Sequence, residues 1–547
     1  MSLKSYIKSH MKDNLIADTI SNYSEETCPF ILILDDESSK ILSTFYKMSD
    51  LINMQLFSVE LLTKKRQPFK TMHAIYFISP SSLNLISNDF PMINKVSDFL
   101  YKRLHIYTTD KVTEYDMQQL IKPGLVNRIL TFKESNINFY LLNKNIFYFH
   151  PLSNYTDFGY KGTIFSYLYF NSINSIEDKI KIFCERICSV CIVMKQFPNI
   201  VYFCPDKVCE IIAKVANKEL SEFYDKNSNI APNKNSLLLI TSRNMDICGP
   251  LIQNHSYSST IFDKFEKING NTIKVNNTNY TLDDSDDLYE EFKNQDYISA
   301  IQGIQSKYEE FVNEVNANKK EINTTDDINI KMKSFDDTIK YKALFTNHIT
   351  ILNECEKINK KFCKEGKEKA NYFFEIIDIF SYIVSGIFTD KSIIEGKKSE
   401  RKKQFDTLYK MIKKYKDYIT HELLLRFMCC LNYYYLNDEN LDTAIDNFGF
   451  DFFDLDPSQK KTIQFFSKNK PEFISKDLLN NLDKEILFYR TKISSKEEDL
   501  RKMCITESKL STIIDMCVND VLPSNLFKYL QNRKSNKKRK KELIDLI

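Results

Sequence analysis

Histidine and cysteine are where catalysis or metal binding would have to begin in this chain, and neither set is spaced for it. The seven histidines (10, 73, 105, 150, 255, 348 and 421) form no HxxxH or HExxH pair, the spacing that sets two imidazoles on one helix face around a zinc ion. A lone histidine on an apolar strand, as at His105, reads as a packing residue with its hydrogen bonds satisfied. Cys184, Cys188 and Cys191 fall in "KIKIFCERICSVCIVMKQF", where they share a helical stripe with Ile180, Phe183, Ile187 and Met194. They read as small buried thiols of a helix core rather than metal ligands. The acidic cluster Asp283, Asp284, Asp286 and Asp287 lacks the spacing and glycine turn of a calcium loop. It directly precedes a helical pattern, where carboxylates cap the first turn and complement the helix dipole.

Phosphate chemistry is as poorly provided for. Gly396-Lys397 lacks the flanking glycine and hydroxyl residue of a phosphate loop, and the first strand-to-helix turn, "LDDESSK" (34–40), has no GxGxxG. No GxSxG elbow occurs either. The expectation is a protein without catalytic residues, metal or cofactor.

Charge narrows the partners. The formal net charge is +3, but "RKSNKKRKK" (533–541) alone carries seven positive charges, so the remainder is faintly acidic. Such a body does not present a nucleic-acid groove. The basic end reads as a solvated tail, with contact to anionic lipid or nucleic acid, or a nuclear signal, as the alternatives. The N-terminus has no apolar signal core, and the longest apolar run, "FFEIIDIFSYIVSGIF" (373–388), is short and broken by Glu375 and Asp378. The thirteen cysteines are odd in number and lack repeated CxxC pairs. A soluble, cytoplasmic protein with reduced thiols follows, any membrane association being peripheral.

A chain of 547 residues exceeds one core, so two to four domains are expected. "FILILDD" (30–36), "LFSVELL" (56–62), "AIYFISP" (74–80), "LHIYTT" (104–109) and "INFYLL" (137–142) read as strands, with helical segments such as 38–48 and 114–131 between them. Strands apolar on both faces and separated by helices imply a doubly wound parallel sheet. A second α/β region follows, with a helix at 176–196, a strand at 199–205, a helix at 206–223 and a strand at 236–242. Beyond 245 the texture turns helical: one long amphipathic helix over 287–318, then helices at 335–364, 367–388, 401–417, 420–436, 440–447, 457–467, 476–481 and 505–518. Loops are expected at 318–330 and 389–403.

The stretch "KMSDLINMQLFSVELLTKKRQPFKTMHAIYFISPSS" (47–82) sets Lys47, Glu60 and a Lys64-Lys65-Arg66 run beside buried strands with no catalytic residue near them. Its order of elements resembles the N-terminal domain of the Sec/Munc (SM) family, the syntaxin-binding regulators of SNARE-mediated fusion. "KESNINF" (133–139), "MKQFPNIVYF" (194–203), "LLLITSRNMDICGPLIQNHSYSSTIFD" (237–263), "LDDSDDLYEEFK" (282–293) and "HELLLRFMCCLNYYYLNDENL" (421–441) continue that likeness in order. "YKMSDL" with "KKRQP" is most similar to the secretory, plasma-membrane branch.

The resemblance implies an α/β plus α chain, arch-shaped and multidomain. Domain one would span 1–142, domain two 143–244, and a mostly helical domain three 245–525 with an extended hairpin at 287–350, before a basic tail at 526–547. It implies that Lys47, Glu60 and Arg66 face a central cleft holding a syntaxin-like helical bundle, plain surface charge being the alternative for each. Met117 and Glu134 match a second site, on the outer face of domain one, for the syntaxin N-terminal peptide. Ile349 is the apolar candidate for the vesicle SNARE, with packing into its own hairpin as the alternative. Asp336 stands where the family commonly has a hinge proline, so a continuous, extended helix is expected there.

The partners implied are a syntaxin-like SNARE and an assembled SNARE bundle or vesicle SNARE, with membrane association through them and no nucleic acid. Set beside the resemblance, the family's usual C-terminal completion of domain two is expected to be missing, leaving a sheet edge or apolar face exposed. Competing readings are an SM-like scaffold for another trafficking partner, a shell that has lost SNARE binding, and an α/β enzyme.

Overall fold

Phe30–Leu34 (β1) is a run of five apolar residues, and all five are buried. Their alternation divides them between two cores: Phe30, Leu32 and Leu34 face one layer, Ile31 and Ile33 the other. A strand buried on both faces is the mark of a parallel sheet covered by helices. The computed structural model describes residues 2–13, 30–149, 177–317, 325–361, 476–494 and 508–530, with short gaps at 55, 91, 94–95, 98, 121–124, 247–248, 252–255 and 270, and the isolated helical positions 403, 406, 410 and 426.

The chain divides into two compact units, Met1–Val201 with Ile211–Leu238, and Tyr202–Glu210 with Leu239–Ile547. In the first, helix α1 (Leu3–Met11) precedes β1, α2 (Asp36–Phe45), α3 (Met48–Ile52), β2 (Leu56–Leu61), β3 (Phe69–Ile78), β4 (Tyr101–Thr108), α4 (Glu114–Leu120) and β5 (Ile129–Glu134). The sheet has the order β2-β1-β3-β4-β5 and is parallel throughout. Asp35 starts α2: its carboxylate accepts the Ser38 N–H at 2.8 Å, and the Ser38 hydroxyl accepts the Asp35 N–H at 3.0 Å.

The sheet corrects one expectation. The segment 114–131 is not one helix: α4 ends at Leu120, and Ile129–Glu134 is the fifth strand. Ile129 and Phe132 fit either period over so short a stretch, and the half-buried edge position supplies no stronger pattern. Ile137, Phe139, Tyr140 and Leu141, expected as that strand, lie buried in the core on the α2 side, where Tyr140–Leu141 pairs with Phe147–Tyr148. The helices α5 (Glu177–Val193) and α6 (Lys207–Lys226) pack together through the cysteine stripe: Cys184 and Cys188 point their thiols at the Ile212 and Ala216 carbonyls, 3.7 and 3.5 Å away. Burial pushes the thiols of Cys184 and Cys191 up to about 12, so they are inert packing groups as the helical stripe implied.

Strand β6 (Asn199–Phe203) lies between β7 (Leu237–Ile240) and the last described strand, Phe527–Tyr529. The Cys204 N–H donates to the Leu526 carbonyl at 2.9 Å, and Phe527 packs on Phe203. Residues assigned to the start of a basic tail therefore fold back, and the edge of β6 expected to be open carries a strand.

In the second unit α7 (Tyr257–Lys264) leads into an antiparallel meander, β8 (Glu266–Asn269), β9 (Thr272–Val275) and β10 (Thr278–Thr281). No strands were expected in this region. Asn276 and Asn277 form the β9–β10 turn with φ of 48° and 65°, the left-handed pair that two-residue hairpins require. The expected single helix over 287–318 is two, α8 (Asp287–Phe292) and α9 (Tyr297–Ala317). The Asp296 carboxylate accepts the Ser299 N–H and restarts the helix, and a Cβ at Gly303 would stand 2.2 Å from the Phe292 ring that packs there. Helix α10 (Thr325–Lys361) is 37 residues long and runs unbroken through Asp336; its first turns occupy part of the expected 318–330 loop.

The helices α11 (Lys476–Ile493) and α12 (Lys509–Val518) are joined by buried polar contacts, Arg490 to Thr512 at 2.8 Å and Lys509 to Asp483 at 2.7 Å. The helices expected at 367–388, 440–447 and 457–467 lie outside the described residues; of 401–417 and 420–436 only isolated helical positions are described.

One carboxylate of the acidic cluster before α8, Asp286, does what its position implied. Asp286 caps the helix by accepting the Tyr289 N–H at 2.8 Å, and it also accepts from Nε2 of the fully buried His348 on α10. Nδ1 of His348 accepts the Tyr257 hydroxyl at 2.6 Å, so one imidazole ties α7, α8 and α10 together. Tyr257→Phe should cost about 1 kcal/mol in urea unfolding, because it deletes one buried hydrogen bond and opens no large cavity.

Candidate functional site

Helix α3 and strand β2 form the rim of the first sheet, and they carry two of the three charges expected to meet a partner. Lys47 is exposed at the N-cap of α3, its backbone N–H donating to Asp50 at 3.2 Å. Asp50 also receives the Lys8 ammonium at 3.4 Å, which braces α3 against α1. Glu60 is half-buried on β2, the outer strand, and accepts from Ser58 and from the Tyr101 hydroxyl, each at 3.3 Å.

Arg66 is placed differently. Its guanidinium forms a two-pronged ion pair with Asp89, at 2.8 and 2.6 Å, and donates to the Leu62 carbonyl at 3.2 Å. Both side chains are almost wholly buried, at 6% and 3% exposure. Asp89 also accepts the Tyr76 hydroxyl at 2.6 Å. Burial opposes the charge of Arg66, but the Asp89 carboxylate outweighs it and raises the guanidinium pKa. Arg66 is thus spent inside the fold, holding the 62–66 turn to the segment after β3. Its partner lies 23 residues away in sequence, in a segment with no charge pattern to announce it.

Sequence reasoning passed over the apolar part of this rim. Met48, Ile52 and Phe57 are 57%, 58% and 53% exposed beside Lys47 and Glu60. The signal was present in "MSDLINMQLF": a five-residue helix that buries only Leu51 leaves its other apolar residues outside.

Met117 and Glu134 lie at one end of the sheet. Met117 is exposed on α4; Glu134 ends β5 and accepts the Val112 N–H at 2.9 Å, fixing the turn that starts α4. Tyr115, 70% exposed, is a larger apolar surface than Met117 on the same helix. Ile349 is exposed while its neighbours His348 and Ile351 are fully buried, so it does not pack into the core of its own unit. The side chain of Asp336 lies outside the described residues.

The crevice where a doubly wound sheet would take a ligand lies beyond the ends of β1 and β3, where the strand order reverses. Here it is filled: the Asp35 carboxylate receives the Ser79 N–H at 2.8 Å and the Ser79 hydroxyl at 2.5 Å. His105 is wholly buried against His73 and Thr131, a packing residue as its strand implied. No group of three metal-ligating side chains occurs among the described residues, and no described helix is long and apolar enough to cross a membrane.

The chain matches the Sec1 family over residues 30–543. It is 29% identical to protein transport protein sec1 of Dictyostelium discoideum over 238 residues, 43% of this chain and 38% of that protein. The match therefore spans well under two thirds of that relative. Among solved structures the fold is similar to the Unc18–syntaxin 1 complex from Monosiga brevicollis, with a TM-score of 0.70 at 14% identity. It is likewise similar to the SM protein Vps45 in complex with the Qa SNARE Tlg2, with a TM-score of 0.69 at 14% identity. Each of these two alignments covers 97% of this chain and 88% of the other.

Proposed function

The chain belongs to the Sec1 family, and from that premise we propose that it is a non-enzymatic SNARE-assembly regulator that holds a syntaxin-like helical bundle against the α3–β2 rim. The observation that carries this reading is the rim itself. Three exposed apolar side chains, Met48, Ile52 and Phe57, stand between Lys47 and Glu60 on elements braced to the sheet. An amphipathic helix needs such a surface: apolar area for affinity, flanking charge for register and association rate. In the two similar solved structures the Unc18 and Vps45 proteins are in complex with a syntaxin and a Qa SNARE, and this lends the reading its partner class.

Exocytosis is the proposed setting, consistent with the sec1 relative. The protein would be cytoplasmic, reaching membranes through its SNAREs. Met117 and Glu134 are proposed to take an extended N-terminal peptide of the same partner. Helix α10, continuous through Asp336 and exposing Ile349, is proposed as the template for a vesicle SNARE. The scaffold reading shares the rim and differs only in its occupant. The enzyme reading is disfavoured by the filled crevice at Asp35 and Ser79.

The test is retention of syntaxin-like SNAREs of the same cell by the full chain. One is expected to bind, and Lys47→Glu or Phe57→Ala should weaken it about tenfold, close to 1.4 kcal/mol, with unfolding midpoints unchanged. A folded chain that retains no SNARE would overturn the proposal.

A further inference from the structure

The first unit contains a second feature that the rim does not use. A half-open cavity of about 790 Å³ lies beyond the ends of β4 and β5, walled by α6 and by the turn that closes α5. Four lysines, three glutamates and His10 line it, a formal excess of one positive charge. Glu219 is taken by Lys111 at 2.5 Å, while Glu134 accepts the Val112 N–H and keeps its negative charge. Glu222 reaches Lys218, which is not part of the lining, at 3.8 Å. Lys195 and Lys226 have no ion-pair partner among the described residues. Lys195 and Lys226 therefore carry the positive excess of the lining, in which lysines outnumber glutamates four to three.

Lys195 stands in an unusual place. It has φ of 52° where α5 ends, with its N–H bonded to the Ile192 carbonyl at 2.9 Å and the next N–H, of Gln196, to the Cys191 carbonyl at 2.8 Å. That helix-ending position is ordinarily glycine, because a side chain there is strained. Asn136, the residue after Ser135 on the opposite wall, also has a positive φ, 54°. Two strained backbones line one cavity, a pattern that marks functional sites when strain is observed first. Burial, and with it the nearby Lys195 charge, pushes the His10 imidazole below its usual range, as expected of an electropositive pocket.

We propose that this cavity binds a small polyanion with several phosphate groups, gripped by Lys195 and Lys226. An inositol polyphosphate, free or as the headgroup of a phosphoinositide, has the required chemistry and fits the volume. Ammonium groups on flexible stems suit phosphates that approach in more than one orientation.

The experiment uses the full chain, whose basic end would itself attract polyanions. Titration calorimetry with myo-inositol hexakisphosphate is expected to give one saturable site. Lys195→Glu with Lys226→Glu should weaken it at least tenfold, while replacing the basic residues of 533–541 by glutamine should leave it in place. Lys195→Gln with Lys226→Gln repeats the test with less disturbance should the charge reversal fail to fold. Flotation with phosphatidylcholine vesicles, with and without phosphatidylinositol 4,5-bisphosphate, separates the two sources. Binding only to the vesicles assigns a lipid headgroup, and binding of the free compound assigns a soluble one. Binding that follows the tail and ignores both lysines, or no binding to either probe, overturns the proposal.

Discussion

Replacing Arg66 by alanine should cost about 3–5 kcal/mol of folding stability, read as a lower urea midpoint of the first unit. The substitution leaves Asp89 buried at 2% exposure, still accepting the Tyr76 hydroxyl but without its cation. An unpaired buried carboxylate either pays desolvation or takes up a proton, and both weaken the native state. Arg66→Lys should recover only part of the loss, because a single ammonium cannot reproduce the two-pronged contact at 2.8 and 2.6 Å. Lys47→Glu should stay within about 0.5 kcal/mol of the unaltered chain, since Lys47 is exposed. The contrast separates two lysine-and-arginine positions that the sequence treats alike. A loss of partner binding on changing Arg66 then reports a disturbed rim, whereas a loss on changing Lys47 reports a lost contact.

Acidification from about pH 6.5 to about pH 4 should remove stability on the order of 3 kcal/mol through one buried pair of imidazoles. His105 stacks on His73 with centroids 5.5 Å apart, and one ring nitrogen of each lies 3.2 Å from the other. Burial first, and then the charge of His73, lowers the His105 pKa from 6.5 to about 4. The unfolded chain therefore binds a proton at a higher pH than the folded one does. The stabilising difference is fully present above the unfolded value and disappears as pH falls through the folded value. His105→Gln should flatten unfolding midpoints across that window. Asp35 acts lower still: hydrogen bonds from Ser79 and Ser38 outweigh its burial and hold its carboxyl below 3.8, so its contribution is lost only beneath that pH. Stability that stayed level down to pH 4 would refute the assignment to His105.

The parallel sheet was legible because its strands are apolar on both faces, and the helices α5 and α6 because their stripes run for four turns or more. The cap at Asp286 was legible for a local reason, three residues fixing the bond that the carboxylate makes. What escaped notice depends on distance or on weak period. β5 is an edge strand with half-buried faces, and the β8–β10 meander alternates polar residues with few apolar ones. Arg66 looked like a rim charge because nothing near it in sequence reveals Asp89. The apolar half of the rim was hidden because nothing in their type separates Met48, Ile52 and Phe57, which are exposed, from Leu51 and Leu56, which are buried.

The central claim is that a helical SNARE partner lies on the α3–β2 rim. Hydrogen exchange of the full chain, with and without the cytosolic part of the syntaxin-like SNARE it retains, measures this directly. Backbone amides over 47–61 are expected to slow at least tenfold on binding, with Lys47→Glu reducing the protection and the buried β1 and β3 amides little changed. Protection confined to other segments, with 47–61 exchanging as fast as in the free chain, would contradict it.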